Sequence, residues 1–372
     1  MKIAILITNP NHHVDLTIEV AMALKQLGHT VKYISLCEIR RMPSPKERFL
    51  ARQIDFEAFP PLPGQLKPSS GKVSLGSDQG IKRKVVRSLF WHLKIRPFIK
   101  KAINGLDLVL LMNDAAFPGD RIVYVLKRRK IPFDLLQEGI RFPLPNESDS
   151  HYGGAGARKI YAWGERSALH FEKVKSKGSQ VVVTGSPRFD QFMELLSSNP
   201  IHPTERILGV FTNPIDDQGF CSHSEKMLIF ENFVKRSAEH LNKEAIALGI
   251  KCHPREDEQE YLLIAKRHVN KIMLLPKEII KAIQWVEAGV IMASTVGLEL
   301  LAAGKGLAQL EIPNYGYVFD YQESDNYLPI PLNGAIDLTN LRSLNRHSDY
   351  FESHVQAGKS SDNLVKAITS KC

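Results

Sequence analysis

The sequence predicts an α/β fold of two doubly wound domains, each built on a parallel sheet with helices on both faces. Three observations support this expectation. Short runs of β-branched and aliphatic residues alternate with amphipathic segments of helical length along most of the chain. The alternation restarts after a stretch with two prolines near residue 200. A chain of 372 residues is also too long for one comfortable hydrophobic core.

The first half begins with a strand–helix–strand unit. The apolar run Ile3–Thr8 predicts a buried strand, and Val31–Leu36 predicts the second. Between them, Asp15 is expected to cap a helix that Gly28 ends. The stretch Arg40–Ser77 is rich in proline, glycine and charge, which predicts an irregular insertion. Further strands are expected at Leu108–Met112, Phe133–Leu136, Ile160–Trp163 and Val181–Thr184.

The second half repeats this architecture after a linker expected at Ser197–Glu205. A long helix is expected at Ser224–Leu248, ended by Gly249. The domain limits are therefore 1–197 for one Rossmann-like domain, 206–345 for a second, and 346–372 for a helical tail. Ligands of such sheets bind outside the carboxyl ends of the strands, so two domains facing a cleft direct attention to those ends. Strands are expected at Ile207–Thr212, Ile250–His253, Ile272–Leu275, Val290–Ala293 and Leu307–Leu310.

One segment stands out by its charge. Between Lys82 and Lys101 the sequence has eight basic residues, no acidic one, and apolar residues at helical spacing. This pattern predicts a basic amphipathic helix that Pro97 breaks. Its charged side is either a solvated face or a surface that meets an anionic glycan or the inner leaflet of a membrane, and we favour peripheral membrane contact. No recognised motif for nucleic-acid binding accompanies it, so no nucleic-acid partner is expected. A second basic cluster follows at Lys127–Lys130.

Composition argues against several classes of protein. No stretch approaches the roughly 20 apolar residues of a membrane span, and the opening residues lack the cleavage site of a signal peptide. The four cysteines lie far apart, which fits a reduced, cytoplasmic compartment. The excess of 49 Lys and Arg over 40 Asp and Glu points to an acidic partner.

Polar residues end one strand of the expected second sheet. The side chains of His253 and Arg255 can hydrogen-bond a phosphate there, while Pro254 turns the chain away from the strand. A His-Pro pair is also a common turn without any ligand. The pair Asp216-Asp217 has no histidine beside it, and therefore no metal site is expected. Neither a dinucleotide motif nor a phosphate-binding lysine loop is present, and no cofactor is expected.

A second polar group follows the strand Val290–Ala293. Ser294 and Thr295 stand where a helix begins, a place that favours an anion. Gly297 allows close approach of the backbone, and Glu299 lies one turn in, within reach of ribose hydroxyls. The alternative is that Ser294 only caps the helix.

The first half offers a candidate base. The strand Phe133–Leu136 runs into Gln137-Glu138-Gly139, where the Glu138 carboxylate is expected to face the cleft as a general base would. In the alternative, Glu138 pairs with Arg141 and only shapes the loop. Arg141 is otherwise a candidate substrate contact.

Four further residues are candidate substrate contacts. Ser186 and Arg188 follow the strand Val181–Thr184. His12 and His13 are expected in the loop after the first strand. Adjacent side chains point in different directions, and at most one of these histidines is expected to be central.

Four segments in this order carry a resemblance. They read Gln137-Glu138-Gly139, Gly185-Ser186-Pro187-Arg188-Phe189-Asp190, His253-Pro254-Arg255-Glu256 and Ser294-Thr295-x-Gly297-x-Glu299. On a two-domain plan, they resemble bacterial GT-B-type glycosyltransferases of surface-polysaccharide assembly. The nearest resemblance is to the metal-independent sialyltransferases, polysialyltransferases and Kdo transferases, which use CMP-activated sugars.

The resemblance implies roles for these residues. Glu138 would be the base, His253 a phosphate or leaving-group contact, and Ser294 and Thr295 phosphate ligands. The first domain would hold the acceptor and the second the nucleotide sugar. The family usually has two acids before the glycine, and the first often acts as base, whereas this chain has Gln137 there. The base is therefore Glu138 or a loop histidine, or the chemistry differs.

The implied function is metal-independent, inverting transfer of a sialic-acid or Kdo-type sugar from a CMP donor. The implied acceptor is an anionic glycan or glycolipid of the bacterial surface. The same layout is similar to phosphotransferases that use CDP-glycerol or CDP-ribitol, and to UDP-sugar 2-epimerases. Both remain alternatives.

Overall fold

The first half of the chain forms a seven-stranded sheet. The computed structural model describes residues 1–40, 42–61, 81–140, 152–198, 205–339, 341 and 347–370. The strands of the first sheet are β1 (Lys2–Ile7), β2 (Thr30–Ser35), β3 (Asp55–Ala58), β4 (Leu108–Leu111), β5 (Phe133–Leu136), β6 (Lys159–Ala162) and β7 (Gln180–Val183). Their spatial order is β3-β2-β1-β4-β5-β6-β7.

The second half forms a six-stranded sheet. Its strands are β8 (Ile207–Phe211), β9 (Ala247–Lys251), β10 (Ile272–Leu274), β11 (Ala288–Ile291), β12 (Gly306–Leu310) and β13 (Tyr327–Ile330). Their spatial order is β10-β9-β8-β11-β12-β13. Every strand pair in the described part of the chain is parallel, so each sheet has all its carboxyl ends on one edge.

Helices connect these strands. They are α1 (His12–Gln26), α2 (Lys46–Leu50), α3 (Ile81–Phe90), α4 (Arg96–Ala102), α5 (Gly119–Arg128), α6 (Glu165–Val174), α7 (Pro187–Ser198), α8 (His223–Lys243), α9 (Glu258–Ala265), α10 (Ile279–Trp285), α11 (Val296–Ala302), α12 (Asp349–His354) and α13 (Ser360–Thr369). The predicted fold class, α/β with two doubly wound parallel sheets, is confirmed. No helix among the described residues is long and apolar enough to cross a bilayer.

Central strands are buried throughout and mostly apolar, with Asp134 in β5 and Gln309 in β12 as buried polar residues. Every residue of β4, β5, β8, β11 and β12 is buried. Residues 199–204 separate β7 from β8 and fall outside the described part, so the exact domain limits stay predictions.

Two expectations about helices in the first half are wrong. Asp15 does not cap α1, which already begins at His12; its carboxylate instead pairs with Arg48 at 2.7 Å. Pro97 does not break the basic helix. A π-helical turn at Trp91–Ile95 joins α3 to α4, and Pro97 stands near the start of α4, directly after this turn, so the helical run continues past the proline.

The predicted end of the long second-half helix is also wrong. α8 ends at Lys243, and Gly249 lies inside β9. A Cβ on Gly249 would stand 2.7 Å from the Leu275 side chain, so the glycine serves sheet packing. The stretch 40–77 was expected to be irregular, yet it contains α2 and β3, and residues 62–80 lie outside the described part. The edge strand β13 was not predicted.

The C-terminal tail returns to the first domain. α13 packs against α1 and α7. The ammonium of Lys159, on β6, donates to the carbonyls of Ala367 and Ser370 at 2.7 and 2.9 Å, and to the Ser370 hydroxyl at 2.8 Å. These acceptors lie at the end of α13, where carbonyls have no helical partner. Lys159 is 1% exposed, so its charge depends on these contacts.

Lys159→Met is expected to lower the free energy of unfolding by about 2–3 kcal/mol, because buried carbonyls lose a charged donor. Urea denaturation followed by circular dichroism measures the change. Lys173→Met, an exposed lysine on α6, is the matched control and should change stability little. Equal losses in the two variants would contradict the role given to Lys159.

Candidate functional site

The carboxyl edge of the first sheet places Glu138 among polar side chains. His13 Nε2 lies 2.9 Å from Glu138 Oε2, and the Asn113 amide donates to Oε1 at 3.0 Å. His13 is oriented from its other side, because its Nδ1 accepts the Thr8 N–H at 3.2 Å. Asn113 follows β4 and is fixed by the N–H groups of Ala115 and Ala116, which donate to its side-chain oxygen at 3.0 and 2.7 Å. Both carboxylate oxygens therefore have rigidly held donors.

His12 contacts the same residue through the backbone. Its Nε2 hydrogen-bonds the Glu138 carbonyl oxygen. His12 and His13 occupy the first turn of α1, and the structure brings both to Glu138, although only one was expected to be central. The Glu138 N–H donates to the Tyr152 hydroxyl at 3.2 Å, which in turn donates to the Met112 carbonyl.

Gln137 has a different role from Glu138. It is 1% exposed, and its side-chain oxygen accepts the Trp163 N–H at 2.8 Å. Its amide donates to Ser167 and to the Gly139 carbonyl. These contacts hold the turn after β5. The carboxylate at this edge is therefore Glu138, whose side chain is 32% exposed.

The surroundings fix the charge state of the site. Burial raises the pKa of Glu138, but the hydrogen bond and charge of His13 and the Asn113 amide outweigh it and lower that pKa to about 2. Burial, followed by the positive charge of Arg188, lowers the pKa of His12 to about 4. At neutral pH the site thus holds an ionised carboxylate beside a neutral imidazole. A cavity of about 20 Å³, room for about one water molecule, lies against His13 and Asn113.

The second sheet places His253 at its own carboxyl edge. His253 Nδ1 accepts the Arg255 N–H at 3.2 Å, so in the neutral ring the proton is on Nε2. Burial, followed by the charge of Arg255, lowers the pKa of His253 to about 4. A neutral imidazole with Nε2–H available is a hydrogen-bond donor for a phosphate oxygen. Pro254 is exposed beside it, and Arg255 pairs with Asp217 at 3.1 Å.

A buried ion pair supports this loop. The Lys226 ammonium lies 3.0 Å from Glu256 Oε1, and each side chain is 3% exposed. The other oxygen of Glu256 accepts the Thr212 hydroxyl, and Thr212 Oγ1 accepts the His253 N–H at 3.1 Å. Lys226 also contacts Asp216 at 2.9 Å. The orientation of His253 therefore depends on side chains that never reach the cleft.

Ser294 and Thr295 follow β11 on the same edge. The Ser294 hydroxyl accepts the Val296 N–H at 3.3 Å, and Thr295 occupies the N-cap of α11 without a side-chain capping bond. The Asn213 amide donates to the Ala293 carbonyl at 2.7 Å, which ties the loops after β8 and β11 together. A Cβ on Gly297 would stand 2.5 Å from the Tyr321 ring, so this glycine is explained by packing.

An ion pair joins the two edges. Arg188, in the first turn of α7, contacts Glu299 of α11. The Glu299 side chain is 3% exposed, and its second oxygen has no hydrogen-bond partner in the described part of the chain. Arg188 therefore links α7, after the last strand of the first sheet, to α11 of the second half, and its charge also lowers the pKa of His12. Glu299 was expected to reach ribose hydroxyls, but in this structure its carboxylate is paired with Arg188.

Some candidates are placed differently from expectation. Ser186 is fully buried beneath α7, so its hydroxyl does not reach a substrate. Arg141 lies outside the described residues. Asp216 and Asp217 are engaged by Lys226 and Arg255. No group of three or more metal-ligating side chains occurs within the described ranges.

Sequence reasoning missed Asn113, Thr212 and Asn213. Each lies one or two residues after the end of a strand, at Leu111 or Phe211, so the rule that selected Glu138 and His253 could also have selected them. The buried pair Lys226–Glu256 left no such signal, because it joins a helix to a loop 30 residues away.

Solved structures with the same fold are known. No protein-family model matches the sequence, and no curated protein matches it.

The UDP-GlcNAc 2-epimerase of Methanocaldococcus jannaschii, in complex with UDP-GlcNAc and UDP, superimposes on this chain with a TM-score of 0.62 at 13% identity, over 99% of each chain. S. aureus MnaA with UDP gives 0.61 at 13% identity, over 99% of this chain and 96% of that one. Acinetobacter baumannii MurG gives 0.52 at 12% identity, over 99% of each.

This likeness shows the fold. The chain has the GT-B-type arrangement that the sequence resemblance implied, shared by sugar epimerases and glycosyltransferases. At 12–13% identity the comparisons do not distinguish between these activities. They also contain no support for the sialyltransferase and Kdo transferase resemblance.

The charge of Glu138 predicts a pH-dependent stability. Its folded pKa of about 2 lies below the ordinary 4.5, so the ionised form stabilises the fold above pH 4.5 and this contribution is lost as the pH falls towards 2. The free-energy difference between wild type and Glu138→Gln should shrink by about 1–2 kcal/mol over that interval, after allowance for solvent screening. Urea denaturation across the pH range measures it.

Glu194→Gln, an exposed carboxylate on α7, is the control for that titration. Its difference from wild type should stay constant with pH. A constant difference for Glu138→Gln as well would show that the His13 and Asn113 contacts do not lower the pKa of Glu138.

Proposed function

We propose that this chain is a metal-independent, inverting glycosyltransferase that takes its sugar from a nucleotide donor. The observation that carries the proposal is the ionised, partly exposed carboxylate of Glu138 on an edge that Arg188 and Glu299 join to the second sheet. The second sheet contributes His253, Ser294 and Thr295 at its own edge. The proton acceptor thus lies on one strand edge, and the hydrogen-bond donors for a phosphate lie on the other. Ligands of such sheets bind at these edges.

The second edge is suited to the donor. In this mechanism His253 Nε2–H and the hydroxyls of Ser294 and Thr295 hydrogen-bond the phosphate as the nucleotide leaves. These hydrogen-bonding groups are neutral and form no ion pair with the phosphate, so the nucleotide can dissociate after the reaction. Glu299 releases Arg188 and binds the ribose hydroxyls, which gives a partner to the carboxylate oxygen that has none among the described residues.

The first edge is suited to the acceptor. Glu138 takes the proton of the acceptor hydroxyl, whose oxygen attacks the anomeric carbon from the side opposite the nucleotide. With a pKa of about 2 the carboxylate is a weak base before substrate binds. An acceptor hydroxyl that replaces the Asn113 or His13 contact removes a cause of that low pKa and strengthens the base. His12 is the second candidate for the base, since only its Nε2 is engaged by the protein among the described contacts.

A second candidate function is 2-epimerisation of a UDP-sugar. The fold likeness to UDP-GlcNAc 2-epimerases over 99% of both chains favours it. Removal of a proton from a sugar carbon and its return need further acid–base groups near Glu138. The nearby Asp114 does not supply one, because it is 2% exposed and accepts the N–H groups of Gly153 and Ala155. Among the described residues His12 and His13 stand beside Glu138 and are acid–base groups that either reaction can use, so the incubation without acceptor described below decides between the two functions.

Glu138→Gln is expected to lower kcat by about 100-fold or more, because the amide cannot take a proton. KM for the donor should change little, since donor contacts lie on the other edge. Transfer from radiolabelled CMP-, UDP- and GDP-sugars to a mixed glycan or glycolipid fraction measures the rate, and EDTA should leave it unchanged. Glu194→Gln is the control, with wild-type kcat. Near-normal turnover of folded Glu138→Gln would move the role to His12.

Incubation of the same nucleotide sugars with the protein, without acceptor, distinguishes glycosyl transfer from 2-epimerisation. Transfer predicts unchanged sugar apart from slow hydrolysis, whereas epimerisation predicts a new 2-epimer by NMR. Epimer formation without acceptor would replace the glycosyltransferase proposal by the second candidate.

Nucleotide binding is expected to raise the melting temperature through the second domain. CMP, CDP, UDP and GDP form the panel; the resemblance favours CMP, whereas the similar structures hold UDP. His253→Ala should weaken binding about tenfold by removing one donor to phosphate. The control is His240→Ala, because His240 lies near the end of α8, next to the amino end of β8 and away from the carboxyl edge that holds His253. A panel in which no nucleotide stabilises the protein would contradict both candidate functions.

A further inference from the structure

The basic helix presents an apolar row to solvent. Val85, Val86, Leu89 and Leu93 are 60, 66, 58 and 62% exposed. They recur at i, i+1, i+4 and i+8, which places them along one side of a helix. The core does not need this side, because Trp91, Ile95 and Ile99 pack inward from the opposite one. The segment therefore has two apolar faces, and only one of them is buried.

Positive charge surrounds the exposed row. Lys94, Lys100 and Lys101 are exposed on the same segment, and no acidic residue occurs between positions 81 and 106. Arg129, at the end of α5, donates to the Lys100 carbonyl at 2.9 Å. This bond brings the exposed cluster Lys127–Lys130 beside the helix. The apolar row and the two basic groups together form what we call the basic apolar surface.

We propose that the basic apolar surface docks this protein on an anionic lipid bilayer. An interfacial helix of this kind buries its apolar residues at the headgroup boundary, while its lysines meet anionic headgroups. A soluble polyanionic glycan would match the charge but leave Val86, Leu89 and Leu93 in water. The combination of apolar row and positive charge favours the bilayer. The proposal does not depend on the reaction catalysed.

The helix that carries this surface packs, through its opposite side, beside the Glu138 site. The Trp91 ring contacts Phe117 with centroids 6.4 Å apart, and Arg87 stands over the same ring at 5.3 Å. Phe117 also lines the small cavity against His13 and Asn113. Docking would thus bring the first-sheet edge close to the lipid surface, where a membrane-anchored acceptor is within reach.

The test is sedimentation of the full-length protein with vesicles. Vesicles of phosphatidylcholine mixed with phosphatidylglycerol should bind at least about tenfold more protein than phosphatidylcholine alone, and salt should reduce the difference. The double variant Leu89→Glu with Leu93→Glu should bind the mixed vesicles about tenfold less or worse. The control Leu263→Glu replaces a leucine of α9 that is 64% exposed, and it should bind as wild type.

Further variants separate the contributions. Lys100→Glu with Lys101→Glu should weaken binding about fivefold for each positive charge removed. If circular dichroism shows that the double leucine variant does not fold, the milder Leu93→Ala should still weaken binding about threefold. Equal binding to the two kinds of vesicle would overturn the proposal. The proposal would also be overturned if the lysine variant lost vesicle binding while the leucine variants bound as wild type. That result would indicate a purely electrostatic surface for a soluble polyanion.

Discussion

The ion pair between Arg188 and Glu299 is a buried polar contact that links the two strand edges. Glu299 is almost completely buried, so separating it from Arg188 without a substitute would leave an uncompensated charge, at a cost of about 3–5 kcal/mol. A second, more exposed link supports it, because Arg166 of α6 pairs with Asp320 at 2.8 Å and with Glu323. The buried pair is therefore the stricter constraint, and a ligand that replaces Arg188 must offer Glu299 hydrogen bonds of its own.

The sequence was sufficient for the architecture because parallel sheets buried on both faces require continuous apolar runs. β4 and β8 are such runs, and so is β5 apart from Asp134; each was located within one residue of its limits. Edge strands carry no such signal. β3 and β13 are half exposed and contain polar residues or proline, and for that reason pattern alone did not separate them from loops. The end of the long helix was wrongly predicted at Gly249 for a related reason. A glycine required by sheet packing cannot be distinguished in sequence from one that ends a helix.

The candidate site was predictable wherever a polar residue directly follows a strand, and it was unpredictable wherever position depends on tertiary contacts. Glu138 and His253 satisfied the first condition. Ser186, three residues after β7, met the same expectation and yet is fully buried. Whether Gln137 or Glu138 faces the cleft was decided by Trp163 and Ser167, whose positions next to β5 only the folded sheet defines.

The low pKa of Glu138 has a consequence for the proposed reaction. A carboxylate that accepts two hydrogen bonds is a poor base towards water. A nucleotide sugar bound without acceptor would therefore be protected from hydrolysis. An acceptor hydroxyl that competes for the same oxygens removes one donor and raises the basicity of the group that must deprotonate it. Transfer would thus be coupled to acceptor binding through His13 and Asn113. In this mechanism both residues act on the reaction by controlling the proton affinity of Glu138, without contacting the sugar.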